Sequence, residues 1–499
     1  MKNKIQVLVN GERVNAEEGV FLSQIVKGDK PCGGHGKCGK CKVMAKGELS
    51  EPTPIERQFL SQHDLSRGVR LACLTQALGS CEIQTLHTVG ESQITIDGIL
   101  PKFELNPLFF CYGVAIDIGT TTLVAHLYNT QGVLLAENSR LNPQSEWGAD
   151  VISRIEAALA GKTKQLSQAI CNALNEMICE FSSVVDTNKI DAVVITGNTV
   201  MLSLLTGQSL EPFSHAPFNV KRLFGEILTA KALSLDALRQ DTQVYLPPCI
   251  SAFVGADITC AILATELCEK PSGLLVDIGT NGEMALWHNE KLTVCSTAAG
   301  PAFEGVGISM GMQATTGAID KVTFKDGRLI AHVIGNQQPI GVCGSGLIDA
   351  VACLIEKGDI DQTGYLENDV APIASDVALI QKDIRMVQLA KSAIYAGMRT
   401  LIENQKINFS DILTVYIAGG FGNYLHKENA MKIGLFPKAF AMATCAVGNA
   451  AISGAARILL DATSKETAQT LVRNVNVLDL ATSSAFSEHY MMGMLFEEQ

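Results

Sequence analysis

The chain has 499 residues, 47% hydrophobic and 18% charged, a composition that describes a compact folded protein rather than a disordered one, with length for about three domains. Its formal net charge of −12 argues against non-specific nucleic-acid binding, which needs a basic face. No stretch of about 18 apolar residues is free of charged or strongly polar interruptions, and the first residues alternate like a strand, so neither a membrane-spanning helix nor a secretory signal is expected.

From the N-terminus, Ile5, Val7 and Val9 alternate as a first strand, and Asn10-Gly11 marks a turn into a second. A glycine-studded loop follows, Pro31-Cys32-Gly33-Gly34-His35-Gly36-Lys37-Cys38-Gly39-Lys40-Cys41. Next come a helical stretch near Glu56 to His63, a fourth cysteine at Cys73, and a closing strand from Cys81 to Leu86. Cys32, Cys38, Cys41 and Cys73 are spaced C-x5-C-x2-C-x31-C. A long first gap, a C-x2-C pair and a distant fourth thiolate suit a [2Fe-2S] cluster of the plant ferredoxin type, held by one irregular loop. Gly33, Gly34, Gly36 and Gly39 permit the tight backbone that turns amide N–H groups toward the sulfides. Four-cysteine zinc is the competing reading, although zinc ribbons usually carry two C-x2-C pairs and this chain has one; unligated thiols are the third. The remaining eleven of fifteen cysteines mostly sit in apolar runs, as buried core residues do. Without an export signal, fifteen cysteines point to a reducing, cytoplasmic location.

Residues 1–87 thus form a small β-rich domain, and residues 88–111, with Pro101 and Pro107, a linker. Beyond Gly113, short apolar runs end repeatedly in small polar turns: Val114-Ala115-Ile116 before Asp117-Ile118-Gly119-Thr120, Val193-Val194-Ile195 before Thr196-Gly197-Asn198, Leu274-Leu275-Val276 before Asp277-Ile278-Gly279-Thr280, and Val415-Tyr416-Ile417 before Ala418-Gly419-Gly420. Buried strands presenting ligand-binding turns at one sheet edge read this way. The repeated Asp-Ile-Gly-Thr predicts a duplicated α/β domain over 112–499, with halves of about 112–270 and 271–499 facing across a cleft. A helix over Asp383 to Asn404 is predicted from the stripe Ile384, Val387, Ala390, Ile394, Met398 and Leu401, which belongs to core packing.

After each repeated turn the chain is β-prone, unlike a P-loop or Rossmann turn, so each turn is placed at the tip of a β-hairpin. There Gly119, Thr120, Thr121 and Thr122, and in the second copy Gly279, Thr280, Asn281 and Gly282, are candidates to hold phosphate, with Asp117 and Asp277 holding Mg²⁺ directly or through water. Gly419, Gly420 and Phe421 are candidates to line an adenosine. Glu283 and Glu304 are candidates to orient the attacking water, with a solvent-facing or salt-bridged role as the alternative.

Segments 113–128, 274–287 and 415–422 resemble the phosphate-1, phosphate-2 and adenosine motifs of the superfamily of acetate and sugar kinases, heat-shock chaperone ATPases and actin. With the cysteine domain ahead of them, and with Asn142-Pro143-Gln144, Gly148-Ala149-Asp150-Val151-Ile152-Ser153-Arg154-Ile155, Ala299-Gly300-Pro301-Ala302-Phe303-Glu304-Gly305, Gln381-Lys382-Asp383-Ile384-Arg385 and Gly448-Asn449-Ala450, nearly the whole chain resembles the reductive activators of corrinoid-dependent enzymes. The resemblance implies a β-grasp [2Fe-2S] ferredoxin-like domain followed by a duplicated ribonuclease H-like domain. It implies ATP, Mg²⁺ and the cluster as cofactors, a corrinoid protein as partner, a ferredoxin or flavodoxin as electron donor, and a homodimer. The activity implied is ATP-dependent return of Co(II) corrinoid to Co(I). The alternative is a small-molecule kinase with a redox-sensing ferredoxin domain, although no sugar-recognition constellation is visible. A chaperone-like module would need a further peptide-binding domain after residue 419.

Overall fold

In the computed structural model of the chain, residues 4–26, 34, 36, 39, 41–60, 62–85, 98–420 and 425–497 are described. Cys32, Cys38, Phe421, Gly33 and Gly422 lie outside the described residues, as does the first part of the expected linker. The chain divides into two compact units, Met1–Ser92 with Gln144–Ala149, and Gln93–Pro143 with Asp150–Gln499.

The first unit is built on a mixed sheet. Its strands are β1 (Lys4–Val9), β2 (Glu12–Glu17), β3 (Val20–Phe21), β4 (Lys42–Leu49), β5 (Val69–Leu71) and β6 (Gln76–Thr85). The order is β2-β1-β6-β4-β5, with β3 also on β6, and β1 runs parallel to β6. Asn10 and Gly11 take left-handed φ values of 49° and 89°, the pair of positive angles that a two-residue hairpin turn demands. Val7, Leu22, Val43, Ala77, Cys81 and Ile83 form the buried cluster, the inward half of each alternating strand. The helical stretch is two short helices, Glu56–Phe59 and Gln62–Ser66, and the closing strand begins at Gln76 rather than Cys81. The early start follows from pairing: Gln76 and Ala77 face Phe21 and Val20 of β3.

The second unit contains two six-stranded sheets. The first has β7 (Tyr112–Ile118), β8 (Thr122–Asn129), β9 (Leu134–Leu141), β10 (Ile190–Gly197), β11 (Glu226–Thr229) and β12 (Gln243–Leu246) in the order β11-β12-β10-β7-β8-β9. The second starts with β13 (Ser272–Ile278), β14 (Gly282–His288) and β15 (Lys291–Thr297). After it in sequence, β16 (Ala318–Lys325), β17 (Arg328–Val333) and β18 (Gly341–Val342) make a three-stranded sheet, and β19 (Val370–Ala374) and β20 (Val377–Ile380) a two-stranded one. Strands β21 (Thr414–Ala418), β22 (Thr444–Gly448) and β23 (Val475–Val477) complete the second large sheet in the order β22-β21-β13-β14-β15-β23. Both sheets share one plan: an antiparallel meander of three strands, whose first strand is flanked on its other side by two parallel strands. The second unit is therefore the duplicated ribonuclease H-like fold.

Helix Gln381–Asn404 buries Ile384, Val387, Ala390, Ile394, Met398 and Leu401 in the core of the second half, as its periodicity predicts. Helices Ala256–Thr265 and Ala450–Leu460, one from each half, cross closely: a Cβ on Gly454 would lie 1.9 Å from the Cys260 carbonyl oxygen. That approach sets where their N-termini arrive. Residues 98–111 pack on the same unit, with Asn106 and Leu108 donating backbone hydrogen bonds to Leu460 and Leu459 and Phe109 buried among them. Seven of the eleven remaining cysteines are buried, Cys268 is partly so, and Cys111, Cys179 and Cys445 are exposed. Among the described residues no helix is long and apolar enough to cross a membrane.

Candidate functional site

Strand register places the repeated turns. Ile118 faces Leu123 across β7 and β8, and Ile278 faces Gly282 across β13 and β14. Gly119-Thr120-Thr121 and Gly279-Thr280-Asn281 are thus hairpin tips, as the sequence predicts, while Thr122 and Gly282 begin the outgoing strands. The first tip is tied from behind. Asn142, fully buried, donates through Nδ2 to the Gly119 carbonyl at 2.8 Å and through its backbone N–H to the Thr121 carbonyl at 2.8 Å. Arg154 Nη2 donates to the Thr120 carbonyl at 2.5 Å. A trans peptide unit points its N–H opposite to its C=O, so the Thr120 and Thr121 amides are directed away from Asn142 and Arg154, in the manner of an anion-binding nest.

The two tips meet at one carboxylate. Glu304, at the end of the short helix Pro301–Glu304, accepts the Thr121 hydroxyl at 2.7 Å on one oxygen and the Thr280 hydroxyl at 2.8 Å on the other.

Beside the tips lies a cluster of carboxylates. Asp117 is next to last in β7 and Asp277 in β13; Glu283 stands directly opposite Asp277 across the antiparallel pair, where side chains share a face. Asn449, the N-cap of helix Ala450–Leu460, donates to Asp117 at 2.9 Å. Burial pushes the Asp117 carboxyl up to about 7, against the Asn449 hydrogen bond and with the nearby Asp257 charge adding to the rise. Asp277 is pushed up to about 7 by burial and by the charges of Asp257 and Asp117. Burial together with Asp257 and Asp277 holds Glu283 well above the ordinary range, although Asn281 hydrogen-bonds it. Asp257, in the first turn of helix Ala256–Thr265, is itself raised by burial to about 6. Four carboxylates this close are held apart in charge only by retaining protons, or by a cation that replaces them.

Gly419 lies against this cluster with φ +103°, where a Cβ would sit 2.4 Å from the Ile278 carbonyl and 3.1 Å from an Asp277 oxygen. The expected adenosine turn therefore reaches the second hairpin at Gly419. Gly420 follows it, and Phe421 lies outside the described residues.

Comparison with known proteins matches residues 272–499 to the C-terminal domain of RACo, the ASKHA domain, and residues 112–270 to the RACo middle region. The chain is 36% identical to the corrinoid activation enzyme RamQ of Eubacterium limosum over 83% of its own length and 74% of the relative's. The chain belongs to the RACo family. It is also 26% identical to the [Co(II) methylated amine-specific corrinoid protein] reductase of Methanosarcina barkeri, over 78% of this chain and 77% of that one. A solved reductive activator for corrinoid, iron-sulfur protein superposes with a TM-score of 0.72 at 25% identity, covering 98% of both chains.

In this RACo-family chain the first unit presents its own site. Of the four expected ligands, Cys41 and Cys73 lie within the described residues, their sulfurs 3.1 Å apart, well beyond a disulfide bond of about 2.05 Å. The Cys73 backbone N–H donates to the Cys41 sulfur at 3.4 Å. Gly36 and Gly39 take φ of +69° and +65°, and a Cβ on Gly39 would lie 2.7 Å from the Phe59 ring. Two converging thiols, an N–H aimed at sulfur and a loop that only glycine can follow fit a thiolate-held cluster. The turn carrying Cys73 is clamped by Glu56, which is fully buried and accepts from the Leu71 amide at 3.1 Å and the Thr75 hydroxyl at 2.9 Å.

Three residues of this cleft, Asn142, Arg154 and Asn449, lie inside motifs that the family resemblance singles out without attaching a role. Asp257 was missed. Its signal was a Gly255-Ala256-Asp257 entry to an apolar helix; a Cβ on Gly255 would lie 2.6 Å from the Asn198 Cα.

Proposed function

We propose that this chain is an ATP-dependent reductive activator that returns inactive Co(II) corrinoid protein to Co(I) in corrinoid methyltransferase systems, passing the electron from its N-terminal cysteine domain. The observation that carries the reading is the meeting of two duplicated hairpin tips at one anion-accepting point beside Asp117, Asp257, Asp277 and Glu283, in a chain whose relatives are named for corrinoid activation and reduction. Cys32, Cys38, Cys41 and Cys73 would hold a [2Fe-2S] cluster, which supplies single electrons at a potential of roughly −400 mV. Co(I) demands a comparably strong reductant, and each shortfall of about 59 mV in a one-electron step costs tenfold in equilibrium constant; nucleotide offsets the shortfall.

Each group of the cleft then has a task. The amides of Thr120 and Thr121 and the hydroxyls of Thr121 and Thr280 bind phosphate oxygens. Asp117 and Asp277 hold Mg²⁺ directly or through water. Mg²⁺ keeps several of its waters and takes one or two carboxylates plus phosphate oxygens. Gly419, Gly420 and Phe421 line the adenosine, and Glu283 or Asp257 orients the attacking water. Lobe closure around the nucleotide acts on the docked corrinoid protein and biases it toward reduction or release. A ferredoxin or flavodoxin reloads the electron, and the chain works in the cytoplasm as a homodimer.

The decisive experiment mixes the full chain with Co(II) corrinoid protein and a low-potential reductant, with and without Mg-ATP, and follows the cobalt spectrum. The Co(I) bands should grow only with nucleotide. Equal rates in both arms would defeat the coupling.

A further inference from the structure

Glu304 does what a nucleotide phosphate is expected to do. Both oxygens of one anionic group are taken by hydroxyl donors from opposite lobes, Thr121 at 2.7 Å and Thr280 at 2.8 Å, each a well-formed hydroxyl hydrogen bond. The buried Arg154 guanidinium, which ties the Thr120 carbonyl, is close enough for the Glu304 charge to favour its protonated form, against the lowering that burial imposes. Thus the chain's own carboxylate marks a position where donors from both lobes converge on an anion.

The segment that bears this carboxylate is anchored in the core through Ala302 and Phe303, with Glu304 half-buried at its end. Gly300 and Gly305 bracket Pro301–Glu304 with φ of +77° and +75°, the left-handed conformation that few other residues adopt without strain. Its near end belongs to the second hairpin, since Gly300 N–H donates to the Thr280 carbonyl at 2.9 Å, whereas the Thr121 contact reaches across to the first lobe. Four further carboxylates crowd the same cleft. A polyphosphate arriving at the Glu304 carboxylate would meet like charge at close range.

We propose that Glu304 is a tethered anion occupying the position of a nucleotide phosphate and clasping the two lobes, so that ATP binds by expelling it and taking over both threonine hydroxyls. The inference rests on the reading that this cleft takes ATP. It makes Glu304 a positioning residue rather than a water-orienting one: closure is held by the carboxylate before nucleotide arrives and by phosphate afterwards.

The test is calorimetric titration of Mg-ATP into the full chain and its Glu304→Gln and Glu304→Ala variants, with thermal unfolding of each in the absence and presence of Mg-ATP. Both variants should bind Mg-ATP about tenfold tighter than the parent chain. Without nucleotide they should unfold at lower temperature than the parent, and the rise on adding Mg-ATP should be larger. A residue that merely supports the fold would lower both temperatures together. Unchanged or weaker binding in both variants, with the parent binding normally, overturns the clasp while leaving the nucleotide reading intact; no binding by any of the three chains overturns both.

Discussion

Glu56 and Arg70 form a two-point ion pair inside the N-terminal unit, Arg70 Nε on one carboxylate oxygen at 3.1 Å and Nη2 on the other at 3.2 Å, with the Glu56 side chain fully buried. The same carboxylate accepts the Thr53 amide at 2.9 Å as well as Leu71 and Thr75, so it joins the helix after the cysteine loop to the turn that carries Cys73. Removing one partner strands a buried charge. Arg70→Met should therefore destabilise the unit by about 3–5 kcal/mol and reduce visible cluster absorption in the purified protein, read by thermal unfolding and absorption spectroscopy. Burial raises the Glu56 carboxyl, but the Arg70, Thr53, Leu71 and Thr75 bonds outweigh it and hold the group below its ordinary 4.5. A depressed carboxyl contributes stability that is complete above 4.5 and is lost as pH falls below it. An acid titration of the parent chain should show that loss, and Glu56→Gln should flatten it.

Two cysteines near one another in sequence should behave oppositely. Cys73 meets Cys41 sulfur to sulfur, whereas Cys81 is a buried core residue of β6 whose thiol burial pushes upward. Cys73→Ala should abolish the visible iron-sulfur absorption. Cys81→Ala should keep it and cost about 1 kcal/mol in stability for the lost packing. A full [2Fe-2S] spectrum in Cys73→Ala would refute the ligand assignment.

The carboxylate cluster predicts a pH-dependent affinity for Mg²⁺. Asp117 and Asp277 have carboxyls pushed up to about 7 from an ordinary 3.8, so without metal the folded chain retains protons that the unfolded chain releases. The sign is destabilising: stability falls as pH rises from 3.8 to about 7, then levels. Metal requires the ionised form. Titrations of Mg-ATP at about pH 6 and about pH 8 should show tighter binding at the higher pH, with a larger thermal shift there; equal affinities would remove these two residues from the metal site.

Gly454 inverts a helix rule. Alanine in place of glycine within an exposed helix stabilises by about 1 kcal/mol, but here the added methyl would lie 1.9 Å from the Cys260 carbonyl. Gly454→Ala should instead cost about 1–3 kcal/mol and weaken nucleotide binding, because the two helices it forces apart deliver Asn449 and Asp257 to the cleft. Chemical denaturation and Mg-ATP titration check both effects.

The repeated Asp-Ile-Gly-Thr was readable because local chemistry is enough to specify a tight turn between β-prone segments, and register places both turns at hairpin tips. The stripe from Ile384 to Leu401 was readable for a similar reason, since a helix period survives without neighbours. Glu304 was legible only as a candidate water-orienting acid in a family motif, not as a bridge between lobes. Its partner Thr121 lies 183 residues away, and no local pattern encodes a bond between opposite lobes. Asn449 and Asp117 are 332 residues apart and meet only because β22 and its following helix return to the edge of the same cleft.

Sequence alone therefore determined the modules, the duplicated hairpins and the candidate thiolates, all of which depend on spacing and on the conformational range of a few residues. Which carboxylates share one low-dielectric cleft, which of them keep protons near neutrality, and which one bridges the lobes were decided by tertiary structure. The reason is that Coulomb energy and desolvation depend on distance and burial in space, and distant segments acquire both only when the two sheets close on each other.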